Sequence, residues 1–179
     1  MTSVGQIAEN IRSASTTASA VTLQAANAAA ANNRHLNAWL TMNGEAENDA
    51  QRIDHERSLG INAGALSGVP CGIKDLIDAT GMPTTAGSNF PHEVATQDAA
   101  VVKLIRAAGA VILGKTATHE FAFGPTGDVA ATGPTCNPHD PTKMSGGSSS
   151  GSGAAVAAGH VPFALGTDTG GSVRIPAAL

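Results

Sequence analysis

Hydrophobic and polar positions along the chain change period several times, and each change marks an element. From about Thr17 to Asn33 the chain is dominated by Ala, the strongest helix former, and Asn32-Asn33 offer a stop. Leu36, Ala38 and Leu40 then alternate with other residues, predicting a short strand around Asn37 to Met42. Glu45 to Ser58 reads as a polar surface helix that ends near Gly60. Val69 to Lys74 is an apolar, strand-like run, and Thr80-Gly81-Met82-Pro83 marks a turn. Asp98 is a good N-cap for a helix whose Val101, Val102, Leu104 and Ile105 are expected to share a face. Gly109 closes that helix, and Ala110 to Leu113 follows as a buried strand. A last apolar strand is expected at Phe163 to Gly166, and Pro176 suits the first turn of a helix.

Helix, glycine and short apolar run in alternation predict an α/β fold, a mixed sheet flanked by helices. The chain's 179 residues suffice for one domain with a hydrophobic core.

Composition narrows the function. Ten basic against fourteen acidic residues give a net charge of −4, so no basic field attracts nucleic acid or an anionic membrane. With no Tyr, one Trp and four Phe there is no aromatic platform for stacking bases. No apolar run approaches a membrane span, and Met1 to Asn10 lacks the apolar stretch of a signal peptide. Cys71 and Cys136 set no disulfide framework, so a cytoplasmic protein is expected. Charged residues are 13% of the chain, against about 25% in ordinary soluble domains. From Met144 to Leu179 the only ones are Asp168 and Arg174, which reads as deep burial.

That charge-poor segment holds two Gly-rich loops. Ser145 to Gly153 has the composition of a flexible linker, but it runs straight into Ala154 to Ala158. A helix of such small side chains is stable only when packed closely on its neighbours. The tract is therefore expected to be a buried loop at a helix N-terminus, where N–H groups favour hydroxyls and developing negative charge. It lacks the lysine of a phosphate-binding loop and matches only a broken dinucleotide fingerprint. The second loop is Gly166-Thr167-Asp168-Thr169-Gly170-Gly171-Ser172-Val173-Arg174-Ile175-Pro176. Two glycines before a serine allow consecutive N–H groups to converge on a carbonyl that the serine attacks.

A nucleophilic serine needs a base. None of the six histidines stands in a triad motif, and His119-Glu120 lacks the second histidine of a zinc helix, so no metal or cofactor is expected. A buried lysine with a lowered pKa is the other option. Among Lys74, Lys103, Lys115 and Lys143, Lys103 looks solvated and Lys74, after an apolar strand, is best placed for burial. Cys71 has no accompanying Cys-His signature.

Three blocks in order, Gly68-Val69-Pro70 with Gly72-Ile73-Lys74-Asp75, Gly146-Gly147-Ser148-Ser149 with Gly151-Ser152, and Gly166 to Ala177, resemble the amidase signature family. Gly81 to Ser88, Gly114-Lys115-Thr116 and Glu120 to Gly124 match as well, so the resemblance runs from about Leu36 to Leu179. The family's two serines lie twenty-four residues apart, which selects Ser148 as the partner of Ser172 over Ser149 or Ser150.

The resemblance implies hydrolysis of a small-molecule carboxylic amide through an acyl-enzyme. Lys74 would be the base, Ser148, with a cis peptide bond, the relay, and Ser172 the nucleophile. Thr169, Gly170, Gly171 and Ser172 would supply oxyanion N–H groups, and Ser149, Asp168 and Arg174 would support the loops. It also implies a rival, the glutaminase component of a tRNA-dependent amidotransferase, with partner subunits; a homodimer is the other assembly it allows. Allophanate hydrolases are set aside, because Ala is expected where Gly171 stands. Ser150 and Gly153 depart from the usual Gly and Ala. Family members continue past Leu179, so residues 1–179 are expected to be the N-terminal portion of one domain. Residues 1–60 are mainly helical and 61–179 carry the blocks. An inactive fragment that needs a complementing segment is the reading from another class.

Overall fold

The computed structural model describes residues 2–61 and 64–179; Met1, Asn62 and Ala63 lie outside it. Helices α1 (Val4–Arg12) and α2 (Ala18–Leu36) lead into strand β1 (Trp39–Met42) and helix α3 (Ala46–Ser58). Strand β2 (Pro70–Lys74), helix α4 (Ala100–Ala107) and strand β3 (Val111–Thr116) form the middle. Helix α5 (Ser150–Ala157), strand β4 (Phe163–Leu165) and the short helix α6 (Arg174–Ala177) follow. The strands make one sheet in the order β1-β3-β2-β4. β2 runs parallel to β3 and to β4, whereas β1 is antiparallel to β3. A mixed α/β sheet is therefore present, as the element rhythm predicts.

Alternation along the strands sends side chains to two cores. Val111 and Leu113 join Ala25 and Ala29 of α2, Ala50 and Ile53 of α3, and Ala154 and Ala155 of α5. Cys71, Ile73 and Ile112 point the other way, onto Val102 of α4 and Met82. Small side chains set the closeness of the first core. A Cβ at Gly151 would stand 2.2 Å from Ala117 N and 2.3 Å from Ala38 O, so only glycine lets α5 approach the ends of β1 and β3.

Several expectations change in detail. α2 runs three residues past Asn33, because Asn33 caps nothing within the helix. Its amide reaches forward, accepting from Ala38 N (2.9 Å) and Trp39 N (2.8 Å) and donating to Trp39 O (2.9 Å). The stop is Asn37, in the left-handed region at φ 52°. α3 is polar but not merely a surface helix: Ala46, Ala50 and Ile53 are buried, and Asp54 caps α2 by accepting from Ala18 N (2.7 Å) and Ser19 N (3.0 Å). Asp98 does not cap α4; it accepts from Thr80 N (2.7 Å) and pairs with Arg106 Nε (3.0 Å) instead. On α4 only Val102 is fully buried and Ile105 partly so, while Val101 and Leu104 face solvent. Helical spacing joins residues three or four apart, so the four apolar positions cannot share one narrow face. α1 lies outside the elements that the apolar pattern predicts; Ser3 caps it by accepting from Gln6 N (3.2 Å), and Ile11 buries its inner face.

Candidate active site

Lys74 ends β2, a strand buried at all five positions, and its side chain is wholly withdrawn from solvent. Among the described residues no carboxylate pairs with it. Its Nζ donates to two hydroxyls, Ser148 Oγ at 2.6 Å and Thr167 Oγ1 at 2.8 Å. Burial lowers its pKa from 10.5 to about 8, and the charge of Asp168 opposes that drop. About one-tenth of Lys74 is thus a neutral amine at about pH 7.

Ser148 follows a cis Gly147-Ser148 peptide bond and is fully buried. Two contacts from the preceding turn hold this bend: His119 N donates to Ser148 O (3.0 Å), and Gly147 N donates to Pro125 O (2.7 Å). The Gly/Ser tract divides at Ser149: residues 145–149 are a buried loop, as expected, and the remainder is the first turn of a helix. α5 begins at Ser150, four residues before the alanines, and Ser150, Gly151 and Ser152 are all buried. Their hydroxyls are consumed locally. Ser152 Oγ donates to Leu165 O (2.8 Å) and lies 2.8 Å from Thr116 Oγ1, and Ser150 Oγ accepts from Thr135 (3.2 Å). A buried, fully engaged tract is no linker.

Ser149 joins the two Gly-rich loops. Its N–H donates to Ser172 O (3.0 Å), its hydroxyl donates to Thr167 O (3.2 Å), and that hydroxyl accepts from Thr167 N (3.2 Å). The second loop folds around Asp168, whose carboxylate accepts from Gly171 N (2.9 Å), Val173 N (3.1 Å) and Arg174 N (3.1 Å). Arg174 adds a bidentate pair, Nε at 3.0 Å and Nη2 at 2.8 Å. The Arg174 side chain and these N–H groups hold Asp168 far below the usual carboxylate range. The only two charges of the stretch after Met144 are thus spent on each other.

Ser172 sits half-buried at the end of this loop. Among the described residues its hydroxyl makes no hydrogen bond, so the structure ties it to Ser148 through the Ser149 backbone and not by a direct side-chain link. The N–H groups of Thr169, Gly170 and Ser172 are likewise without acceptors among the described residues. Gly171 departs from the expectation of four converging donors, because its N–H turns to Asp168. Thr167, the second acceptor of Lys74, is a site residue that the sequence does not single out. It sits in the loop as one more small polar residue, and only the fold brings it across to β2.

The histidines take structural roles where they are buried. Trp39 Nε1 donates to His160 Nδ1 at 3.0 Å, which places the ring proton on Nε2, 2.6 Å from Asn32 Oδ1. His119 Nδ1 accepts from Gly127 N at 3.2 Å. Cys71 is equally inert, its thiol pushed up to about 12 by burial. Two hollows, of 620 and 570 Å³, run along α2, and Lys74 lines neither. No helix among the described residues is long and apolar enough to cross a membrane.

Residues 20–179 match the family model Amidase. The chain is 51% identical over 146 residues to a glutamyl-tRNA(Gln) amidotransferase component from Renibacterium salmoninarum, covering 80% of this chain and 28% of that protein. It is 43% identical over 177 residues to the AtzE component of 1-carboxybiuret hydrolase from Pseudomonas sp., covering 97% and 39%. Among solved structures it superposes on the peptide amidase from Stenotrophomonas maltophilia with a TM-score of 0.93 and 36% identity, covering 99% of this chain and 38% of that one. A structure described as a vestigial protein complex that reveals the evolutionary origins of an s-triazine catabolic enzyme gives a TM-score of 0.94 at 42% identity, covering 98% and 39%. The chain therefore spans between a quarter and two fifths of the length of these relatives. On the family match and these likenesses, the chain belongs to the Amidase family.

Proposed function

We propose that this chain carries the catalytic machinery for hydrolysing a carboxylic amide, with Ser172 as nucleophile, Ser148 as relay and Lys74 as base. One observation carries the reading: a wholly buried lysine, its contacts all to neutral groups, donates to the wholly buried Ser148 hydroxyl at 2.6 Å. In its neutral form that amine accepts the Ser148 proton, and Ser148 takes the proton of Ser172 as the latter attacks the amide carbon. The N–H groups of Thr169, Gly170 and Ser172 receive the oxyanion, with Gly171 joining only if it leaves Asp168. The relay returns the proton to the leaving amine, and water then releases the acyl group. Ser149, Asp168 and Arg174 hold the two loops in register. The reading needs no cofactor, and its substrate is a small amide.

The test is intact-mass spectrometry after exposure to a fluorophosphonate, alongside Ser172→Ala. A single adduct on the unaltered chain, absent from the variant, is expected. No adduct on a chain of the correct mass refutes activity in these 179 residues and leaves the inactive-fragment reading, in which a complementing segment is needed.

The names of the relatives favour a second reading: one component of an amidotransferase or of another multi-subunit hydrolase. In the amidotransferase form of that reading the acyl donor is glutamine, and in either form full activity appears only with partner subunits. Ammonia release from glutamine, measured with and without such subunits, separates it from a self-sufficient amidase. We further read residues 1–179 as the N-terminal portion of a single amidase domain working in the cytoplasm, where free thiols such as Cys71 and Cys136 persist.

A further inference from the structure

Lys74 is not the only lysine sealed inside the sheet. Lys115 of β3 is also fully buried, one strand away. In the parallel register Lys74 pairs with Thr116 and Lys115 with Ile73, so the two lysines leave the sheet on opposite faces. Their partners differ in kind. Lys115 Nζ reaches Asp75 Oδ1 at 3.0 Å, Pro83 O at 2.9 Å and Thr84 Oγ1 at 2.8 Å, which satisfies all three ammonium hydrogens. The residue after Lys74 thus carries the counter-ion of the other lysine.

That carboxylate is also a hub. Asp75 Oδ2 accepts from Thr85 N at 3.0 Å and from the Thr85 hydroxyl. Asp75 O accepts from Ala86 N (3.0 Å), and Asp75 N donates to Thr116 O (2.9 Å). The tie continues outward: Ala86 O accepts from Phe121 N (2.8 Å), and Gly87 O accepts from Ala131 N (2.8 Å). These residues belong to the segment whose His119 N–H holds Ser148 O. One buried pair therefore links the end of β2, the 83–87 turn and the support of the cis-serine bend.

We propose that Lys115 and Asp75 are a positioning pair, which fixes the exit of β2 and keeps an uncompensated charge from acting on Lys74. The proposal rests on Lys74 being the base. Charged groups around the two lysines are few: Asp168 acts on Lys74 from the nucleophile loop, and Asp75 and Asp78 act on Lys115. Removing either member of the pair leaves an unbalanced charge across the sheet from Lys74, of opposite sign in the two cases. With Lys115→Met, the Asp75 carboxylate keeps its Thr85 donors but loses its counter-ion, and a negative charge there favours the lysinium form of Lys74. With Asp75→Asn, the Lys115 cation disfavours it. A part that is merely structural has no such sign.

The experiment is the pH dependence of fluorophosphonate labelling of Ser172 in the unaltered chain, Lys115→Met, Asp75→Asn and the double variant, with urea midpoints recorded for each. The unaltered chain is expected to show labelling that rises through about pH 8. Lys115→Met moves that rise about half a pH unit upward, Asp75→Asn about half a unit downward, and the double variant returns it to the starting position. Shifts in the same direction, or urea midpoints that fall while the rise stays in place, overturn the proposal. If Lys115→Met fails to fold, Asp75→Asn and the double variant still read the sign. A rise near pH 8 that the variants leave unmoved sinks the positioning pair alone, whereas an unaltered chain without that rise sinks the assignment of the base and the pair with it.

Discussion

Burying Lys74 without a carboxylate imposes a cost on the fold that depends on pH, and its size follows from the geometry. The native pKa of about 8 lies below the 10.5 of a solvated lysine, so between those values the unfolded chain binds a proton that the native chain does not. Native stability therefore rises with pH across that window. Below pH 8 both states are protonated and the penalty is at its full size; above 10.5 both are neutral and it is gone. A gap of about 2.5 pH units corresponds to about 3 kcal/mol. Lys74→Met removes this proton from both states. It also leaves the hydroxyls of Ser148 and Thr167 unpaired, but that loss is constant with pH. The difference in unfolding free energy between the unaltered chain and Lys74→Met, from urea denaturation at about pH 6.5, 8, 9.3 and 10.8, should stay flat to about pH 8. It should then move by about 3 kcal/mol in favour of the unaltered chain by about pH 10.8. With Lys74 as the base proposed above, the same proton gates the proposed reaction: at about pH 7.5 a base of pKa about 8 is about one-quarter neutral, against about one part in a thousand at 10.5. Ser172 labelling should accordingly rise over the lower part of this window. A free-energy difference that stays flat across the whole range refutes the argument that burial depresses Lys74.

Other variants probe the parts around it. Gly151→Ala places a methyl group against the backbone of Ala117 and Ala38, so a loss of at least about 3 kcal/mol is expected in thermal or urea melts. Asp168→Asn loosens three N–H groups and the Arg174 fork, and labelling of Ser172 should fall about tenfold or more while the urea midpoint scarcely moves, because the pair lies at the surface. His160 has its pKa lowered by burial, and its Nδ1 must remain unprotonated to accept from Trp39. The stability it supports is therefore intact above the ordinary histidine value and is lost as pH falls through the lower native value. Trp39 is the sole tryptophan, so its fluorescence during acid titration reports the break directly, and His160→Gln should abolish that step.

What the sequence reveals and what it hides follow the same division between local and non-local physics. The Gly/Ser tract is readable because the alanines after it can be stabilised only by close packing, and Gly151 sits against bare backbone as that argument demands. The rhythm of helix, glycine and apolar run yields the layer order, since each element has its own period. α1 carries a weaker local signal: Ser3 and Gln6 are spaced as a capping box, ahead of Ile7 and Ile11 on one face. Asp98 and Asn33 mislead for the opposite reason. Each has a side chain suited to a cap, but a partner supplied by tertiary structure, Arg106 in one case and the β1 backbone in the other, competes for it.

The two buried lysines show why the site is only half legible. Lys74 and Lys115 both end apolar runs, and nothing within either run says which will find a carboxylate. The register of β2 against β3 decides it, by sending the two side chains to opposite faces. On one face Lys115 meets Asp75 and two further acceptors in the 83–84 turn; on the other Lys74 meets only hydroxyls. Burial lowers the pKa of both lysines, but at Lys115 the charge and hydrogen bond of Asp75 oppose that drop, whereas at Lys74 only the charge of Asp168 does. The proposed chemistry therefore depends on a carboxylate being directed away from its immediate neighbour, and that arrangement exists only once the strands are paired.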